Sequence, residues 1–182
     1  MSDNRRPPIP VETYRDAQDL PIAYSHRWGG QSPPDDAYPT MSNLDRFAPL
    51  NVAALALVDW LQGTFDVDVE RSPSTIADLL LSPENPVQVV RIVPRQPAAA
   101  PLTLVLTRCP GVSIHAGSLH DFRFPACGCD GCDDDVADLM SQLEWTVGTV
   151  VAGGYSDRFA PASGDTVEYR RVSCRPRQRH PA

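Results

Sequence analysis

From residue 43 onward the chain alternates between two hydrophobic rhythms. In residues 43–64, Phe47, Leu50, Ala54, Leu57, Val58 and Leu61 recur three and four positions apart, the spacing of one helical face. Ser42 or Asn43 is placed to cap this first helix, and Gly63 marks its end. Pro49 fits a helix only near its first turn, which moves the start to about Asp45. A second helix is predicted over 133–151, where Val136, Leu139, Met140, Leu143, Val147, Val150 and Val151 share a face. Asp133 to Asp135 fall on its first turn, where carboxylates complement the helix dipole, and Gly153-Gly154 stops it.

Between the helices the period shortens. In "FDVDVER" Phe65, Val67 and Val69 alternate with acidic residues, as in a half-exposed strand. "SPSTIADLLLSPENP" reads as a loop with one short helical turn between Ser74 and Leu81. "VQVVRIV" (87–93) and "LTLVLT" (102–107) are strands joined through "PRQPAAAP", and Pro110-Gly111 turns the chain into "VSIHAG" (112–117). A short extended piece, "HDFRF", follows, and "TVEYRRVS" (166–173) is the last strand. Clustered strands with tight connections, flanked by helices, predict an α+β fold. Its sheet is mainly antiparallel, with about four to five strands, and packs with two main helices.

The N-terminal region obeys neither rhythm. Seven of the 19 prolines precede Thr40, and proline both fixes φ and removes a donor, so no long helix forms there. Yet Tyr14, Ile22, Tyr24, Trp28 and Tyr38 recur through it, and disordered segments are poor in aromatics. The prediction is a disordered tail over 1–10 and a single domain over 11–173. Within that domain, 11–42 is an extended Pro-rich arm packed along the surface, with Trp28 as an anchor. Residues 174–182 form a flexible basic tail.

Charge and composition then narrow the function. The net charge of −7 repels phosphates, which argues against nucleic acid or an anionic membrane as partner. The chain has no lysine, which excludes Schiff-base chemistry, pyridoxal-phosphate catalysis and the lysine-bearing phosphate loop. Neither GxSxG, HExxH nor GxGxxG occurs. The longest apolar run, Val52 to Val58, is too short for a bilayer, and the N-terminus has no apolar signal core, so the expected location is the cytoplasm. Thiols there stay reduced, which favours metal binding or free cysteines over disulfides.

One stretch carries candidate chemistry. "FPACGCDGCDDD" (124–135) sets Cys127, Cys129 and Cys132 among four aspartates. Cys127 and Cys129, two apart in an extended segment, point to the same side, and Cys129-Asp130-Gly131-Cys132 has the two-residue spacer of a zinc knuckle. A tetrahedral site needs a fourth ligand. His120 is the first choice, His115 the second and Cys109 the third. A thiolate at Cys132 would also feel the positive end of the second helix, which lowers its pKa. Two other readings remain: a tight helix-entry turn built from small residues, or a redox or nucleophilic thiol. The Ser118/His120 pair lacks any catalytic signature.

Three stretches also carry a resemblance: "YSHRWGGQSPPDDAY" with "NLDRFAPLN", "APLTLVLTRCPGVSIHAGSLHDF", and "FPACGCDGCDDD". Together they resemble a family of small, uncharacterised, actinobacterial-type proteins in the domain-of-unknown-function series, whose FPxCGCDxCDE motif is similar to the last of them. The likeness spans about residues 10–160. It implies that the Pro-rich arm belongs to the domain, and it implies no activity. The family pattern is aromatic at position 109, which speaks against Cys109 as a ligand, and has His where Asn51 stands.

The sequence thus points to a cytosolic, non-enzymatic interaction or accessory protein. A structural zinc is held by Cys127, Cys129, Cys132 and His120, and the partner is a protein or small molecule of unknown identity. The alternatives are a thiol-dependent enzyme or redox protein using one of these cysteines, and a metal-free binding module.

Overall fold

The computed structural model describes residues 6–159 and 167–171, with the backbone path alone for 156–159 and 167–171. Helix α1 runs from Ala48 to Thr64 after a 3-10 turn over Leu44–Phe47. Pro49 sits in its first turn, as its missing N–H requires. Neither predicted cap is used. Asn43 has a left-handed backbone (φ 51°) and makes no cap bond, its amide turning instead to the Tyr24 hydroxyl at 3.2 Å.

Strands β1 (Val67–Glu70), β2 (Pro86–Pro94), β3 (Leu102–Thr107), β4 (Gly111–Ala116) and β5 (His120–Phe124) form one antiparallel sheet in the order β1-β2-β3-β4-β5. The fold class is therefore the α+β arrangement that the patterning predicts. Helix α2 (Val136–Val151) packs beside α1 on one face of the sheet. Val90 and Ile92 of β2, Leu102, Leu104 and Leu106 of β3, and Val112 and Ile114 of β4 meet Leu50, Leu57, Leu143 and Val147 in the main core. The back face carries a smaller apolar cluster, Leu79, Val89 and Val105, under the 3-10 turn Pro73–Asp78. With both faces covered, β3 and β4 are buried at almost every position, which explains why they read as apolar runs rather than as alternation.

Three features differ from the sequence expectation. A strand β6 (Tyr155–Phe159), not predicted, pairs with β7 (Val167–Arg171) in a separate antiparallel ribbon. Helix α2 begins at Val136, not at Asp133. Asp135 is its N-cap and accepts from the Ala137 and Asp138 N–H groups at 2.7 and 3.1 Å, while Asp133 lies outside it with φ 52°. The arm packs against the domain from earlier than Val11: Ile9 touches the core and Arg6 pairs with Glu144 at 3.6 Å. The predictions for residues 1–5 and 174–182 lie outside the described residues. Among the described residues no helix is long and apolar enough to cross a membrane.

Candidate metal centre

The cysteine loop links the end of β5 to the start of α2, and the N-terminal arm is laced onto it. Backbone pairs hold the two together: the Asp130 N–H donates to Thr40 O at 2.8 Å, Gly131 N–H to Ala37 O at 2.9 Å, and Ser25 N–H to Asp133 O at 2.7 Å. Asp133 takes its left-handed backbone to present that carbonyl, which is why it cannot belong to the helix. The Trp28 indole N–H reaches Asp130 O at 3.3 Å, so Trp28 does anchor the arm.

Two aspartates complete the lacing from their side chains. Asp130 is buried, accepts the Ser42 N–H at 2.8 Å and faces Arg27 Nη1 at 3.3 Å. Burial pushes its carboxyl up, but the Ser42 N–H and the Arg27 charge outweigh that and hold it below the usual carboxylate range. Asp133 Oδ2 accepts the Arg27 N–H at 2.9 Å, yet here burial wins and the carboxyl is pushed up. Arg46, only 3% exposed, lies between the rings of Tyr24 and Phe47, 4.6 and 4.1 Å from their centroids. It donates to Ser42 O and, at 3.4 Å, to Gly128 O, so one buried guanidinium ties arm, α1 and cysteine loop together.

Within this frame the three cysteines converge. Their sulfurs lie within 4.8 Å of one another, with Cys129 Sγ 3.4 Å from Cys132 Sγ. Four thiolates around zinc at about 2.3 Å would sit about 3.8 Å apart, so small side-chain adjustments bring the three into bonding positions. Cys129 is buried, Cys127 half-buried and Cys132 exposed. Its bond from the Cys127 thiol lowers the Cys129 pKa against the opposing effect of burial. Cys132, hydrogen-bonded to Cys129 and partly desolvated, is pushed up to about 12. The predicted lowering at Cys132 is thus reversed, because its hydrogen bond with Cys129 and its desolvation act against the helix end. Three soft donors this close suit a thiophilic divalent ion.

The predicted fourth ligand does not join them. His120 opens β5 opposite Ala116, and the strand runs to Phe124 before the chain reaches the cysteines. Four residues of extended chain span about 13 Å, which separates His120 from the loop. His115 lies on β4 in the back face, its Nδ1 2.7 Å from Asp121 Oδ1. Cys109 is exposed in the β3–β4 turn, and Asn51 donates to Thr107 O at 3.4 Å. Among the described residues no other His, Cys, Asp or Glu completes the group.

Sequence reasoning missed Asp130, Asp133 and Arg46 as organisers of the site. Their partners lie up to 106 positions away, so only the acidic cluster itself was visible. It also missed a polar row on the back face, where Arg91, Thr103, His115 and Asp121 are direct neighbours on β2, β3, β4 and β5. Asp78, from the 3-10 turn, accepts from the Thr103 hydroxyl at 2.6 Å and pairs with Arg91 at 3.1 Å.

Residues 10–180 match DUF6226, a family of unknown function, and the chain belongs to that family. No curated protein and no solved structure gives a significant match.

Proposed function

We propose that this member of the DUF6226 family is a bacterial, cytoplasmic, non-enzymatic accessory protein built around a zinc ion held by Cys127, Cys129 and Cys132. The observation that carries the reading is the convergence of three sulfurs within 4.8 Å on a loop tied to both the arm and α2. A metal there joins the end of the sheet, the start of α2 and the arm at one point, and its binding energy adds to folding. The acidic net charge of −7 supports a protein or small-molecule partner rather than nucleic acid or membrane. A redox or nucleophilic thiol is the second reading, favoured by the lowered Cys129 and its 3.4 Å contact with Cys132. Cys129 is only 3% exposed, whereas reactive thiols are accessible, so the metal reading is preferred.

The test is elemental analysis of untagged protein with a thiol count. About one zinc per chain, with three thiols freed only by chelator, supports the metal reading. Metal-free protein whose cysteines all titrate at once overturns it. One fast-alkylating thiol in metal-free protein selects the redox reading instead.

A further inference from the structure

Three thiolates fill three corners of a tetrahedron. Structural zinc sites close the fourth corner with protein, whereas sites that bind a further ligand leave it exchangeable. Two observations bear on which kind this is. Among the described residues, no further His, Cys, Asp or Glu joins the three sulfurs, so these residues provide three donors. The exposed member of the trio, Cys132, lines a cavity of about 330 Å³ between the cysteine loop and the arm, walled also by Ser25, His26, Trp28, Gly131 and Asp133.

Asp133 gives that cavity its chemistry. The residue is 6% exposed, and its two carboxylate oxygens differ. Oδ2 is used by the Arg27 N–H at 2.9 Å, while Oδ1 is buried without a hydrogen-bond partner. A buried acceptor left unpaired is destabilising, and the arm covers the nearby Asp130 with the Ser42 N–H but leaves this oxygen without a donor. Asp133 and the exposed Cys132 line the same cavity, so a residue with an unpaired acceptor and one of the three cysteines share its wall.

From this juxtaposition, and resting on the metal reading above, we infer that the fourth coordination position is exchangeable and opens into this cavity. It takes a small ligand that offers a lone pair to the metal and an N–H or O–H to Asp133 Oδ1. Water meets both requirements, and so do small nitrogen heterocycles and alcohols. The centre is then a small-molecule binding site as well as a tie. Arm and ligand are coupled, because the Ser25 and Arg27 N–H groups that dock the arm bond to the same Asp133.

The experiment uses the full chain loaded with cobalt(II), whose visible bands report the coordination sphere, and imidazole as the probe. X-ray absorption of the zinc form counts its ligands. The expected result is three sulfurs and one light atom, with cobalt bands that shift saturably as imidazole is added. Asp133→Asn, nearly the same shape, should keep metal stoichiometry and weaken imidazole binding by about tenfold. Arg95→Ala, remote from the loop, controls for surface substitution and should leave it unchanged. Bands indifferent to imidazole, with a fourth protein donor that disappears in His26→Ala, Cys174→Ser or His180→Ala, would overturn the inference and leave the metal reading intact. Failure to develop any thiolate–cobalt band defeats the metal reading itself, and the inference with it.

Discussion

The cysteine loop and the back face of the sheet both hold clustered polar side chains, but they satisfy them in different ways. At the loop, Asp130 and Asp133 are met by main-chain N–H groups of the arm, from Ser42 and Arg27. At the back face side-chain pairs predominate, His115 with Asp121 and Asp78 with Thr103 and Arg91, although Asp121 Oδ2 also accepts the Leu81 N–H at 3.0 Å. A main-chain donor survives replacement of its own side chain, so these two bonds depend on the path of the arm, while the Arg27 and Arg46 side chains add charge and ties to the loop. The back-face row depends on both members of each pair. His115 Nδ1 and Asp121 Oδ1 share one short contact of 2.7 Å, and losing Asp121 strands the buried His115.

Four measurements test that contrast, from the largest effect to the smallest. Removing metal should act through the loop alone. Cys129→Ser, or chelation of the wild type, should lower the melting temperature by roughly 10 °C or more, equivalent to a few kcal/mol for a chain of this size. Hydrogen exchange should rise in the arm and stay low in β3 and β4. Uniform deprotection across the domain would erase the distinction between the two regions.

Next comes the row. His115→Ala and Asp121→Ala should each cost about 2–3 kcal/mol in urea unfolding, because each leaves a buried polar partner behind. The double variant should cost less than the sum of the two, and simple additivity would mean that the 2.7 Å contact contributes nothing of its own.

The path of the arm is probed by Gly131→Ala. A Cβ there would stand 2.8 Å from the Tyr38 ring, too close for contact, so the ring or the arm must move. The expected loss is about 1–2 kcal/mol, with metal retained but arm amides exchanging faster. Protection equal to wild type would show that the half-exposed Tyr38 simply swings aside.

The smallest effect is one of pH. Asp130 has a depressed carboxyl, so its contribution to stability is present above its unfolded pKa of about 3.9 and is lost as pH falls through the folded value. Asp133, raised by burial, works in the opposite sense: its contribution is full below the unfolded value and is lost as pH rises through the folded one. Asp130→Asn should therefore show its deficit near neutral pH and approach the wild type below about pH 4. A deficit independent of pH would mean that the Ser42 bond matters and the charge does not.

Legibility follows the same division. The cysteine trio was visible because its members are neighbours: a two-residue spacer and a preceding i, i+2 pair already confine three sulfurs to a small volume. The row of Arg91, Thr103, His115 and Asp121 left no trace, because each residue lies alone in its own strand and only pairing register makes them neighbours. His120 looked plausible as a ligand by count along the chain, but a strand is stiff and extended, so seven positions became distance rather than proximity. Strand β6 was missed because "YSDRF" has three polar residues in its middle, and the Gly153-Gly154 before it reads as the end of a helix rather than the start of a strand.

What the sequence determined by itself is whatever local periodicity and spacing express: two amphipathic helices, a run of sheet strands, and three thiols held near one another. Hydrophobic burial needs only the right period, and short chelates need only the right spacer, so both are written in a few consecutive residues. The tertiary structure decided the rest. It turned a Pro-rich arm into the donor surface for Asp130 and Asp133, gave those adjacent aspartates opposite pKa shifts, and assembled the back-face row. Those outcomes depend on which distant backbone N–H groups and charges arrive at a buried carboxylate, and that is fixed only when the chain has packed.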